Sequence, residues 1–198
     1  MNSEIWWEKT VEYAFVVAAS QEGKFDFAAP FAGRHERLAA DAMFAKASKF
    51  VLVEFKRNKD EIPTEKSLFH CYEDAKTKLA NYYHHNIVFA IISEGTLQLA
   101  AQTYFSAKPC GSALDCLSSG VDESTFLTYL GLLAELKKED GRSSSGHISP
   151  EALSTVMGIT ENGKIVDARP LYEYAPALFP AQIYRPDHSE SSSPSPGG

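Results

Sequence analysis

The run Phe50-Val51-Leu52-Val53-Glu54-Phe55-Lys56 restricts the fold of this chain more than any other stretch. Strand side chains alternate between faces, so Phe50 and Leu52 point one way and Val51, Val53 and Phe55 the other. A strand that is apolar on both faces belongs inside a sheet covered on both sides. The run ends in an acid and a base one residue apart, and Glu54 and Lys56 share a face. A carboxylate and an ammonium at the end of a buried strand are costly unless something local uses them.

The preceding segment sharpens that reading. Residues 38–45 also read as a strand, and residues 46–49 read as a hairpin loop. A two-residue turn at Ala47 and Ser48, or a four-residue loop, gives one and the same register. Ala45 then faces Phe50, and Asp41 faces Glu54, with opposed Cβ atoms roughly 5 Å apart. Two carboxylates so placed repel, unless one is protonated or a cation lies between them. A divalent metal held by Asp41 and Glu54, with Lys56 beside it, resolves the conflict. A three-residue loop would break this register.

Composition bounds the class. A chain of 198 residues is expected to form one domain. The expected boundaries are 1–185 for that domain, with a core at about 5–106 and a C-terminal extension at about 107–185; a disordered tail rich in Ser, Pro and Gly is expected at 186–198. No apolar run reaches membrane-spanning length, and the first residues lack a basic segment before an apolar one. The expectation is a cytoplasmic protein with no membrane partner. Cys71, Cys110 and Cys116 are odd in number and lack C-x-x-C spacing, against a disulfide framework or a structural zinc site. The net charge of −7 argues against a broad basic surface. It leaves room for a local basic groove or metal-assisted phosphate contact.

Periodicity gives the remaining elements. Residues 4–20 predict a helix, with Trp6, Val11, Phe15 and Ala18 at helical spacing and Glu8 and Glu12 one turn apart. Residues 21–33 read as a loop or irregular strand, and residues 57–61 as a solvated turn. Residues 64–83 predict an amphipathic helix whose stripe runs through Leu68, Ala75, Leu79 and Tyr82, with Glu65, Lys66, Glu73, Lys76 and Lys78 off it. Residues 87–93 and 97–105 predict strands, and the strand–helix–strand unit predicts parallel pairing. Residues 108–123 read as loop, 124–138 as a helix and 139–146 as a polar loop. Ser149-Pro150 resembles a helix start, and Asn162-Gly163 a hairpin turn before Ile165-Val166.

The order of these elements and their charged residues resembles the PD-(D/E)XK nuclease superfamily. The residues that carry the resemblance are Trp6-Trp7-Glu8 and Glu12 on the first helix, Ala40-Asp41-Ala42 on one strand, and Val53-Glu54-Phe55-Lys56 on the next. It covers residues 5–93, and its specificity lies in order and spacing, since each motif is short. Ala40 stands where the nominal motif has proline. The implied fold is α/β: a mixed central β-sheet flanked by helices, a restriction-endonuclease-like αβββαβ core with a C-terminal α/β extension.

The resemblance implies metal-dependent hydrolysis of phosphodiester bonds, with DNA the expected substrate and a homodimer or protein partner a further expectation. Asp41 and Glu54 would bind Mg2+ or Mn2+, with the Phe55 carbonyl as an added ligand; the hard cation suits oxygen donors. Such an ion activates an attacking water and neutralises phosphate charge. Lys56 would position that water or stabilise the transition state. Glu8 or Glu12 would complete the site, with Glu8 preferred because it follows the tryptophan pair.

Blander readings stand beside these. Asp41, Glu54 and Lys56 also suit a structural ion-pair cluster in a nuclease-fold binding or assembly module without activity. A nuclease subunit that needs a partner or effector is a further alternative. The Arg34-His35-Glu36-Arg37 run reads as an exposed loop rather than a phosphate contact. Tyr82-Tyr83-His84-His85-Asn86 reads as a helix C-terminus favoured by the helix dipole rather than as a metal or stacking site. Asp74 and Lys78 read as a surface i,i+4 pair.

Overall fold

The apolar run lies on an interior strand of a seven-stranded mixed sheet. The computed structural model of the chain describes residues 7–30, 40–94, 96–137, 156–159 and 165–169. The elements are α1 (Glu8–Gln21), β1 (Phe27–Pro30), β2 (Ala42–Lys46), β3 (Lys49–Asn58), a 3-10 helix (Lys59–Leu68), α2 (Tyr72–Leu79), β4 (His85–Ser93), β5 (Thr96–Thr103), a second 3-10 helix (Ala113–Ser119), α3 (Glu123–Leu136), β6 (Val156–Ile159) and β7 (Ile165–Arg169). The strand order is β5-β4-β3-β2-β1-β6-β7. β3 and β4 are parallel, and every other neighbouring pair is antiparallel.

The architecture is therefore α/β, a mixed sheet flanked by helices. β3 is an interior strand, third from one edge, and its alternation divides the core in two. Phe50 and Leu52 join Met43, Ala45, Phe69, Leu79, Phe126 and Leu133 on one face, where α2 and α3 pack. Val51, Val53 and Phe55 join Val11, Phe15, Ala19, Phe44 and Val88 on the other, under α1. Val11, Phe15 and Ala19 recur every four residues, which puts them on one side of a helix. Phe15 sits edge-on to Phe44 and Phe55, with ring centroids 5.6 Å apart in both pairs. Each such fully buried side chain contributes about 1.5–3 kcal/mol of hydrophobic stabilisation.

The β2–β3 hairpin has the register that its loop length implies. Ala45 pairs with Phe50 and Ala42 with Val53 across a two-residue turn. Both turn residues, Ala47 (φ 49°) and Ser48 (φ 60°), are left-handed, as turns matching the strand twist require. Neither is glycine, so the turn is strained. Neighbours hold it: Asp26 accepts the Ala47 amide at 2.8 Å, and the Lys46 ammonium donates to the Gly23 carbonyl.

Two expectations need correction. The helix expected over residues 64–83 is a 3-10 helix over Lys59–Leu68, an extended break at Phe69 to Cys71, and an α-helix of eight residues. Asn58 caps the 3-10 segment by accepting the Asp60 amide at 3.0 Å. Pro63 lies inside it, and proline opposes continuation as an α-helix. Three residues per turn place Ile62, Glu65 and Leu68 on one side. Glu65 is thus buried between apolar neighbours, not on an outer face. The turn expected at residues 57–61 is absorbed into the end of β3 and the start of this helix. Likewise, residues 108–123 contain a 3-10 helix rather than loop alone.

Other expectations shift by a few residues. α1 begins at Glu8, β2 at Ala42, and α3 runs over Glu123–Leu136 with Asp122 accepting the Thr125 amide at 3.0 Å. β6 and β7 form an antiparallel pair on either side of the expected Asn162-Gly163 turn. That turn, the run at residues 34–37, the expected helix start at Ser149 and the tail lie outside the described residues. Among the described residues no helix is long and apolar enough to cross a membrane.

Candidate functional site

β3 delivers Glu54 and Lys56 side by side, as two residues with the same parity must be. The Lys56 ammonium lies 2.7 Å from Glu54 Oε1 and 2.8 Å from Glu65 Oε1. Glu65 Oε2 accepts the Tyr104 hydroxyl at 2.5 Å. Glu54, Lys56 and Glu65 are 6, 8 and 5% exposed, so these charges meet in a setting with little water. The β2–β3 register, continued by one residue, sets Asp41 opposite Glu54. Asp41 Oδ2 accepts the Phe55 amide at 2.5 Å, which anchors this carboxylate to the end of β3.

The first helix supplies one of its two candidate acids. Glu8, at the start of α1, has Oε2 3.9 Å from the Lys56 ammonium. Glu12 pairs instead with Lys9 at 2.5 Å. Of the expected residues, the fold therefore gathers Glu8, Asp41, Glu54, Phe55 and Lys56. Glu12 is engaged with its own helix.

Three further residues belong to the cluster. Glu65 arrives from the 3-10 helix and Tyr104 from the end of β5. Lys137, 1% exposed, caps the C-terminal end of α3 and feels Glu54, Glu65 and Asp41 electrostatically. Its backbone bridges to Phe69, which ties the end of α3 to the segment after the 3-10 helix. The sequence signal for Glu65 was Pro63 breaking the helical pattern. Nothing local marks Lys137, because its position depends on how α3 docks.

Burial pushes Glu54 well above the usual carboxylate range; Asp41 and Glu65 push the same way, and Lys56 and Lys137 resist. For Lys56, burial alone would lower the ammonium, yet Glu54 and Glu65 outweigh it and hold it above its ordinary value. Burial lowers Lys137 despite the three carboxylates near it. Burial also raises Glu8, with Lys56 opposing. Four carboxylates against two ammoniums leave a formal excess of negative charge. An excess of negative charge on oxygen donors fits a hard divalent cation. Among the described residues no three His, Cys, Asp or Glu side chains converge as a ready metal cage. Magnesium does not need one, since it binds through one or two carboxylates and keeps several waters.

The Tyr82–Asn86 run departs from the helix-terminus expectation. α2 ends at Leu79, and His84 and His85 are wholly buried. His85 Nδ1 lies 2.5 Å from the Tyr129 hydroxyl, and its ring stacks on Tyr104 at 4.1 Å between centroids. Neither ring nitrogen of His84 has a hydrogen-bond partner among the described residues. Burial lowers His84 to about 4 and His85 well below its ordinary range, with Lys137 adding to the effect at His85. Both are therefore neutral at pH 7. Asp74 and Lys78 are exposed on α2, away from this cluster.

Comparison of the chain with protein-family models, curated proteins and solved structures finds no match.

Proposed function

We propose that the chain is a metal-dependent nuclease of the PD-(D/E)XK type, hydrolysing phosphodiester bonds of nucleic acid, with DNA the expected substrate. The observation that carries this reading is the Glu54–Lys56 pair at the end of a buried interior strand, with Asp41 one residue beyond the paired hairpin and its carboxylate on the Phe55 amide. The element order α1-β1-β2-β3-α2-β4, with β4 parallel to β3, supports a restriction-endonuclease-like core. In this reading Asp41 and Glu54 hold Mg2+ or Mn2+, and β5, α3 and the β6–β7 pair are additions to the core. The bound ion supplies an activated water and charge neutralisation at the phosphate. Lys56, held by Glu54 and Glu65, presents a fixed positive charge to the developing transition-state charge. Glu65 and Tyr104 orient Lys56, and Glu8 lies at the mouth of the cluster.

One observation favours a second reading. Lys56 bonds two buried carboxylates, one of which is also satisfied by Tyr104. So closed a network also serves a binding module with no activity. Plasmid, linear and single-stranded substrates incubated with Mg2+, Mn2+ or chelator separate the two. Under the nuclease reading, Lys56→Ala lowers turnover per folded molecule by roughly 10²-fold or more, the scale for one preorganised electrostatic group. A parent chain that cleaves none of these substrates with either metal leaves the binding module standing.

A further inference from the structure

A cavity of about 180 Å³ opens beside the acidic cluster, between the 3-10 helix, α2 and the end of β5. Glu65 belongs to both: its carboxylate holds Lys56 on one side, and its side chain forms part of the cavity wall on the other. Tyr72, Tyr104 and Phe105 line the cavity as an aromatic wall. Tyr72 and Phe105 are tilted 31° with centroids 5.9 Å apart, and Phe105 and Tyr104 meet edge to face at 4.8 Å. Gln102 contributes an amide, able to donate and accept. Lys66 and Lys76 stand exposed at the rim, with the Lys66 ammonium 5.4 Å from the Tyr72 ring centroid.

We propose that this cavity receives one unpaired nucleobase of the nucleic-acid strand whose phosphate is cut at the Lys56 cluster. The proposal rests on the nuclease reading and adds the class of substrate: a strand with an unpaired nucleotide at the cut. Three features select that ligand. The volume, about 180 Å³, is small. It lies below the roughly 300–1,000 Å³ of drug-sized ligand sites. One planar ring system suits a cavity of this size. Aromatic side chains stack on any base, and an amide pairs with a base edge. Two lysines at the mouth suit the phosphates on either side of that base, although the chain as a whole is acidic. A base in this cavity has left its neighbours' stack, so the strand there is single or locally opened. Glu65 is shared between the cavity wall and the Lys56 cluster, so a strand that places a base in the cavity runs past that cluster.

The test measures binding in chelator, where the metal-dependent cut does not run. The probes are fluorescein-labelled 12-mers: single-stranded DNA, the same sequence as blunt duplex, and an abasic strand of the same length. The variants are Tyr72→Leu, which keeps apolar bulk but loses the ring face, and Gln102→Ala; melting curves confirm their folding. The parent is expected to bind the single strand at least tenfold tighter than the abasic strand. Each variant should lose about tenfold on the base-bearing strand, the order of one base–aromatic stack, and nothing on the abasic one. Equal binding of base-bearing and abasic strands by the parent overturns the proposal, as does a preference for intact duplex. Unchanged binding by both folded variants overturns it too, and the nuclease reading survives either result if the parent cleaves in Mg2+. If the variants lose binding but the parent never cleaves, the cavity assignment stands and the nuclease reading falls. Saturable binding of free dAMP that fails to displace the 12-mer makes the cavity an effector site and overturns the proposal.

Discussion

Replacing Lys56 by methionine separates what this lysine does for the fold from what it does for chemistry. The ammonium is nearly buried and touches two nearly buried carboxylates at 2.7 and 2.8 Å. Methionine keeps much of the apolar stem and removes the charge, so Glu54 and Glu65 lose their shared cation. Breaking a buried pair by removing one partner costs about 3–5 kcal/mol. In a chain of this length, each kcal/mol lowers Tm by about 2–4 °C, so the loss is roughly 6–20 °C. The cost depends on pH. Glu54 already lies above the usual carboxylate range through burial and its acidic neighbours, and losing Lys56 raises it further. A carboxyl raised on folding stabilises the fold below its unfolded value of about 4.3, and that contribution is lost as pH rises through the folded value. The variant's deficit is therefore largest at pH 8 and shrinks on acidification. If Asp41 and Glu54 hold a divalent cation, Mg2+ should also recover more stability in the variant than in the parent. Urea denaturation followed by circular dichroism, at pH 5.5 and 8, with Mg2+ or chelator, reads both effects. A deficit below about 1 kcal/mol at pH 8, independent of pH, would refute the reasoning and make the ion pairs negligible.

Further outcomes follow from other parts of the fold. His84 is buried, its ring nitrogens lack hydrogen-bond partners among the described residues, and burial lowers it to about 4 from an ordinary 6.5. A histidine lowered on folding stabilises the fold above its unfolded value and loses that contribution as pH falls from 6.5 towards 4. The difference corresponds to about 3 kcal/mol. His84→Phe should therefore flatten the acid limb of the stability curve over that window, and an unchanged limb would remove His84 as its cause. At the β2–β3 turn, replacing Ala47-Ser48 by Asn-Gly relieves two left-handed non-glycine residues and should stabilise the chain by about 1 kcal/mol; a lower urea midpoint would show that the turn carries no such strain.

The legible part of the site was the part built by local geometry. The hairpin register followed from loop length, which pairs Ala45 with Phe50 and runs to Ala42 opposite Val53. The interior position of β3 followed from its being apolar on both parities. The parallel β3–β4 pair followed from a crossover long enough to contain a helix. What stayed hidden depended on period or on distance. An α-helical period put Glu65 outside, whereas the three-residue period of a 3-10 helix turns it inward beside Ile62 and Leu68. Tyr104 and Lys137 come from chain more than 40 residues beyond Lys56 and meet it through packing of β5 and α3. Where the sequence predicts a helix terminus, His84 and His85 sit at the buried start of β4, because α2 stops at Leu79.

The central claim is most directly tested at Asp41. Its carboxylate is partly exposed and accepts the Phe55 amide, a bond that the asparagine side-chain oxygen also accepts. Asp41→Asn therefore removes a charge from the proposed cation site while keeping the hairpin anchor. The measurement is a cleavage time course on plasmid and single-stranded DNA in Mg2+, beside a melting curve of the same samples. Parent cleavage should stop in chelator, and the Asp41→Asn rate should be lower by about 10²-fold or more with Tm in chelator within a few degrees of the parent. Equal rates for the two folded proteins, or cleavage that persists undiminished in chelator, would contradict it.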